Sequence, residues 1–298
     1  MCRGEEEALA RASGAASPAS GEANSTASDD KHMCLLLIAI RAVPGKPLVL
    51  LGNRDEFRAR ASATAAPWQE DPRVVGGRDL VAGGAWLAVR TDGRHAAVTN
   101  VRSGLPATAP RSRGWLVRDF VLGDASPDDF LDAVHGDVES YGAFNLIVGD
   151  RRETWAYGTA DAAPRRLDDG VHVISNGRIG VHWPKTERLR QRFVEAIASD
   201  GVDDDALLDL LLDQQLPADA ALPDTGVGLE LERLLAPVFV RGSAQYGTRA
   251  GTLAHFDDDR GVVLRERIFE YGTSAVQESA WRLAPASRRW QQTRMRAD

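Results

Sequence analysis

The run Cys34-Leu-Leu-Leu-Ile-Ala-Ile-Arg41 constrains this chain more than any other stretch. It carries no charge, glycine or proline before Arg41, and it is far shorter than a membrane span. Such a run reads as a buried strand. Pro44-Gly45-Lys46-Pro47 supplies a turn, and Leu48–Asn53 a second strand, so the ordered part of the chain opens with a hairpin.

Further apolar runs follow over Val74–Gly77, Trp86–Val89 and His95–Val101, broken by Gly83-Gly84 and by an Asp92-Gly93 turn. Helical periodicity appears at Arg113–Leu122 and Pro127–Val134. The second of these has Ser126 placed to cap it and Asp128 and Asp129 in its first turn. Strands resume at Phe144–Val148, Thr154–Tyr157 and Val171–Ser175. Helices return at Pro184–Ala198 and at Asp203–Leu212, where Leu207, Leu208, Leu211 and Leu212 share one face. The stretch 247–269, folded about Asp257–Gly261, reads as a final hairpin. Strands bracket helices without strict βαβ alternation, which predicts an α+β domain with layered sheets.

Residues 33–275 are expected to form one domain. Residues 1–32 hold a single leucine and no aromatic residue, a composition that cannot bury enough surface to order itself. Residues 276–298, with Arg282, Arg288, Arg289 and Arg294, read as a basic, solvated tail. A net charge of -7 disfavours a nucleic-acid surface. The positive charge is almost all arginine, the only lysines being Lys31, Lys46 and Lys185. Two cysteines without a C-x-x-C pair give neither a disulfide framework nor a thiolate metal site, so a reducing, cytoplasmic location and no metal or cofactor are expected. No apolar run approaches the roughly 20 residues of a membrane span.

The familiar catalytic motifs are missing: no serine has the G-x-S-x-G context, no P-loop or G-x-G-x-x-G occurs, and the six histidines are scattered. What stands out is a set of polar clusters at the ends of apolar strands. They are Gly52-Asn53-Arg54-Asp55-Glu56, Asn100-Val101-Arg102, Asn176-Gly177 and Tyr246-Gly247-Thr248-Arg249. Any one of them reads as an ordinary turn; four together point to a site assembled at one edge of a sheet.

Met33-Cys34 opening a strand, then GNRDEF, TNVR, ISNG followed by WPK, and YGTR resemble the NRDE family of the transport and Golgi organisation protein two type. The resemblance spans about residues 33–275. That family is similar in layout to the N-terminal nucleophile hydrolases of the penicillin V acylase and bile salt hydrolase type. The resemblance implies an α-β-β-α sandwich of two antiparallel sheets between helical layers.

It also implies a chemistry in which one terminal residue is both nucleophile and, through its α-amino group, general base. An α-amine titrates at about 7.7–8.0 and can take the proton of a thiol that attacks an amide carbonyl. Carried onto this chain, Cys34 is the nucleophile after removal of Met33. Arg54 or Asp55 orients its amine and thiol, Asn100 and Asn176 donate to the oxyanion, and Arg249 completes the charged wall. Asn53, Arg102 and Tyr246 are the expected substrate contacts. The acylases set their arginine two or three residues before the aspartate, whereas here the two are adjacent, so both remain candidates. The mechanism needs a free Cys34 amine, hence translation from Met33 or cleavage before Cys34. The competing readings are a small buried thiol with no chemistry, and a non-catalytic carrier of haem or of lipid or acyl-CoA. In the first reading the partner is a small-molecule amide or acyl ligand.

Overall fold

The computed structural model describes residues 33–102, 109–199, 202–259, 261–271, 274–283 and 289–293. The expectation for the leader 1–32 falls outside them. The chain first forms six strands: β1 (Met33–Val43), β2 (Lys46–Phe57), β3 (Ser62–Pro67), β4 (Val74–Asp79), β5 (Leu87–Arg90) and β6 (His95–Asn100). Helices α1 (Gly114–Leu122) and α2 (Pro127–Gly136) follow. Then come β7 (Phe144–Gly149), β8 (Thr154–Gly158), β9 (Arg165–Arg166) and β10 (Gly170–Ile174). Helices α3 (Pro184–Ile197), α4 (Asp204–Asp209) and α5 (Leu229–Leu234) lead into β11 (Tyr246–Phe256), β12 (Val262–Phe269), β13 (Ala275–Leu283) and β14 (Gln291–Gln292).

These strands make two seven-stranded sheets, ordered β10-β1-β2-β11-β12-β13-β14 and β3-β4-β5-β6-β7-β8-β9, with every paired neighbour antiparallel. Alternation along β1 and β2 explains the layering. Leu36, Ile38, Leu48 and Leu50 meet Val75, Leu87, Val89 and Ile147 of the second sheet. Leu35, Leu37, Val49 and Leu51 point the other way, against Leu189 and Phe193 of α3 and Leu207 and Leu208 of α4. On the far side, Leu116, Phe120 and Leu131 of α1 and α2 cover the outer face of the second sheet. The result is the expected α-β-β-α sandwich. Each fully buried Leu or Ile in β1 contributes about 2 kcal/mol, so burial on both faces holds this inner strand in place.

Local signals placed most ends to within a residue or two. Ser126 accepts from the Asp129 N–H at 3.3 Å, and Asp203 caps α4. The structure departs from the sequence reading at several points, among them the unpredicted β3 and α5. First, β2 continues through Gly52-Asn53-Arg54-Asp55-Glu56 to Phe57, so this cluster lies within a strand. Second, the predicted helix to Leu212 closes as a 3-10 turn, with Leu210 rather than Leu212 buried. Third, residues 275–283 form β13 instead of a solvated tail, since Trp281, Ala280 and Leu283 have apolar cover.

Close packing fixes the backbone at two further points. The β3–β4 register shifts between Ala63 and Ala66. Ala65, caught in that irregularity, gives its N–H to Glu266 Oε2 of β12 at 2.6 Å and takes the Trp281 indole N–H of β13 on its carbonyl at 2.8 Å. At Gly52 a Cβ would lie 2.4 Å from the Leu35 carbonyl oxygen and 3.2 Å from the Trp86 ring. Gly52→Ala is therefore expected to destabilise the fold by about 2 kcal/mol, read in a thermal melt as a loss of about 5 °C.

Candidate functional site

Cys34 enters the fold at the start of β1, directly opposite Arg54 of β2, while position 33 pairs with Asp55. Its side chain faces the second sheet, at the inner end of a cavity of about 170 Å³. Arg54, Asp55, Glu56, Trp86 and Asn100 line the same cavity, and Arg60, Asp79, Arg111 and Arg113 stand in its wall. The charges are mostly neutralised within the wall. Arg54 reaches Glu56 at 3.0 Å, and Arg60 reaches Asp79 at 2.7 Å.

The strand register explains why polar residues can occupy buried positions here. Beyond Gly52 the strand runs past the apolar core, so side chains on both of its faces meet polar groups. Asp55 lies opposite Thr248 of β11 and accepts its hydroxyl proton on Oδ1 at 2.6 Å. Oδ2 of Asp55 is buried and has no hydrogen-bond partner among the described residues. The Tyr246 hydroxyl is likewise buried and unpartnered. Lys185, second residue of α3, is 3% exposed and donates from Nζ to the Leu235 carbonyl at 3.2 Å.

Burial dominates the electrostatics. It pushes the Cys34 thiol up to about 12, with the Asp55 carboxylate adding to the effect and the Arg54 guanidinium opposing it. Burial also raises Asp55 to about 6, against the pull of Lys185 and the Thr248 hydrogen bond. Lys185 is brought down to about 8, again by burial, with Asp55 holding it up. Between about 6 and 8 both Asp55 and Lys185 are therefore charged.

The remaining candidates divide clearly. Asn100 lines the cavity; its own carbonyl accepts the Asn176 amide proton at 2.9 Å, so Asn176 stands behind Asn100 and holds it. The Ser175-Asn176 loop also ties the sheets together: Thr99 and Asn145 donate to the Ser175 carbonyl, and the Ser175 hydroxyl donates to that of Cys34 at 3.2 Å. Asn53 turns to the helical side and donates to the Leu211 and Val238 carbonyls, both at 2.9 Å. Arg102 is ion-paired with buried Glu232 and lies over the Trp183 ring at 5.0 Å. Arg249 sits in a bulge of β11 and donates to the carbonyls of Phe57, Arg58 and Arg60. Thus Cys34, Arg54, Asp55 and Asn100 come together at the cavity. Tyr246 is outside its lining; Asn53, Asn176 and Arg249 donate to backbone carbonyls, and Arg102 pairs with the Glu232 carboxylate. Lys185, Thr248 and Glu56 carried no assignment from the sequence. One signal was available for Lys185: it is one of only three lysines in an arginine-rich chain.

The profile of the family described as Transport and Golgi organisation 2 matches residues 33–271. The chain belongs to that family. The human Transport and Golgi organization protein 2 homolog is 31% identical over 236 residues, covering 74% of this chain and 86% of its own. The mouse homolog is 30% identical over the same shares. Among solved structures, the chain is similar to a mutant of the conjugated bile acid hydrolase from Clostridium perfringens (TM-score 0.42, 10% identity, covering 89% of this chain and 97% of the other). It is also similar to a Caenorhabditis elegans N-acylethanolamine-hydrolyzing acid amidase ortholog (TM-score 0.41, 13% identity, 74% and 92%). The Transport and Golgi organisation 2 match begins at the residue that opens β1, so the cavity lies wholly within the family region. Among the described residues no helix is long and apolar enough to cross a membrane, and no group of three or more His, Cys, Asp or Glu side chains is placed to hold a metal ion.

Proposed function

We propose that this protein is an amide hydrolase of the N-terminal nucleophile type, with Cys34 as nucleophile once residue 33 has been removed. One observation carries the reading. The strand register sets Asp55 opposite position 33, and Asp55 offers a buried oxygen with no partner among the described residues. An α-ammonium created at Cys34 would arrive next to that oxygen. The acceptor exists; the donor appears only when the peptide bond before Cys34 is absent.

In this scheme the free amine takes the thiol proton as Sγ bonds to the substrate carbonyl carbon, and Asn100 donates to the oxyanion from the cavity wall. Collapse breaks the C–N bond, and the same amine returns the proton to the leaving nitrogen. Water, deprotonated by the amine, then attacks the thioester, releases the acid and restores the thiol. Arg54, opposite Cys34 on the same face, favours the thiolate. The substrate is a small amide, and the location is cytoplasmic, where a thiol nucleophile stays reduced. Among the described residues that line the cavity, the side chain of a type that ligates haem is Cys34, here assigned as the nucleophile, so the carrier role enters as an outcome of the test.

That test takes the full chain with a protease site placed directly before Cys34, folded first and then cut. A panel of N-acyl amides should be turned over only after cutting, and Cys34→Ala in the cut chain should lose at least about a thousandfold in kcat with an unchanged melt. Turnover surviving in Cys34→Ala would sink the reading. Saturable binding of haem or an acyl-CoA without any turnover would replace it with the carrier role.

A further inference from the structure

Helix α4, with the sequence Asp-Asp-Ala-Leu-Leu-Asp, docks on the first sheet by two kinds of contact. Leu207 and Leu208 enter the apolar layer beneath it. Its three carboxylates each meet a basic side chain of the sheet. Asp205 reaches Arg265 at 2.7 Å and Arg267 at 2.6 Å, Asp209 reaches Arg267 at 2.6 Å, and Asp204 reaches Nε2 of His255 at 3.3 Å. Arginine holds its charge at any pH the fold survives, so the contact at His255 is the one that loss of a proton can switch off.

His255, near the end of β11, is 3% exposed and has a second carboxylate on its other nitrogen, with Asp257 Oδ1 at 2.8 Å from Nδ1. An imidazolium offers an N–H to each of them. The neutral ring has a single N–H, and its bare nitrogen would face the remaining carboxylate. The shorter contact, to a residue two positions along the same chain segment, is the one that keeps the proton.

We propose that His255 is a proton-operated latch on the first turn of α4: as imidazolium it holds Asp204 and Asp257 together, and on losing its proton it keeps Asp257 and lets Asp204 go. The ion pairs of Asp205 and Asp209 then hold the rest of the helix near the sheet while its first turn loosens. The 3-10 turn that follows α4 offers the Leu211 carbonyl to Asn53 of β2, the residue before Arg54. The latch therefore lies on the backing of the strand that lines the Cys34 cavity, yet it does not depend on the hydrolase reading.

The other charged groups around the imidazole come from each element packed there. They are Asp205 of α4, Lys46 of β2, Asp258 and Asp259 of the turn after β11, Arg265 and Arg267 of β12, and Glu278 and Arg282 of β13. Among these types, histidine is the one whose ordinary titration falls between about pH 5 and 8. Burial opposes the charge on His255, and the Asp204 and Asp257 carboxylates outweigh it, so its pKa stands above the ordinary 6.5. A group that holds its proton more tightly in the folded chain contributes fully below 6.5, and that contribution is lost as pH rises through the raised value.

Hydrogen exchange of the full chain between about pH 6 and 9, expressed as protection factors, reads the latch. The Ala206 and Leu207 amides report on the first turn, being bonded to the Asp203 side chain at 2.8 Å and to its carbonyl at 3.1 Å. In wild type their protection, relative to that of the α3 amides, should fall about tenfold as pH rises. His255→Gln should give the low ratio at every pH, because glutamine carries no charge, and Asp204→Asn should flatten the profile in the same way. A constant ratio in wild type, or a fall that persists in His255→Gln, would overturn the proposal. If His255→Gln fails to fold, the imidazole resonances of His255 in wild type decide: an inflection above 6.5 is expected, and one at or below 6.5 contradicts the latch.

Discussion

Freeing the Cys34 terminus should raise its alkylation by iodoacetamide at about pH 7.5 by about a hundredfold. In the uncut chain burial, reinforced by the Asp55 carboxylate, holds the thiol near 12, so almost no thiolate exists at neutral pH. A terminal ammonium beside the sulfur favours the thiolate and returns the thiol toward its ordinary value of about 8.5. Lowering it by about 3.5 units multiplies the thiolate roughly three-thousandfold, while the weaker nucleophilicity of a less basic thiolate takes back about half of that gain on a logarithmic scale. Mass spectrometry of timed samples before and after cutting provides the measurement. Equal rates in the two forms would mean that the terminus does not act on the thiol, and the buried-thiol reading of Cys34 would stand.

Arg102 should matter to the fold far more than to turnover. Its guanidinium and the Glu232 carboxylate are about 4% and 5% exposed, and Glu232 also accepts the Thr225 N–H and hydroxyl. Removing one partner of such a pair leaves a buried charge, so Arg102→Met is expected to cost about 3–5 kcal/mol in urea unfolding. Removing both, with Arg102→Met and Glu232→Met together, should recover most of that loss. A stable Arg102→Met protein with altered KM would instead put Arg102 among the substrate contacts.

The contrast between these residues shows what a sequence can and cannot reveal. Ser126, Asp203 and Pro184 act within one turn of their own position, and their helix starts were legible for that reason. The hairpin of β1 and β2 was legible because its apolar runs and turn are contiguous. Its full length was not: Asn53, Arg54, Asp55 and Glu56 look like a turn, and only their pairing with β1 and β11, with the Leu211 and Val238 carbonyls taking the Asn53 amide, explains a strand there. Arg249 was visible as a charge in a familiar motif, yet its acceptors are backbone carbonyls 189 to 192 residues away. The site divides the same way. Cys34, Arg54, Asp55 and Asn100 line one cavity, while the burial that gives Lys185 its character comes from residues distant in the chain.

The irregularity at Ala65 has a consequence for how copies of this protein behave in a crowd. β3 is the outermost strand of its sheet, and an outermost strand normally offers a row of free donors and acceptors onto which another chain can zip. Here that row is broken in the middle: both backbone groups of Ala65 are already held by side chains reaching across from the opposite sheet. An incoming strand would meet a kinked edge with its central valences occupied, and growth of the sheet from one molecule into the next is halted at that point.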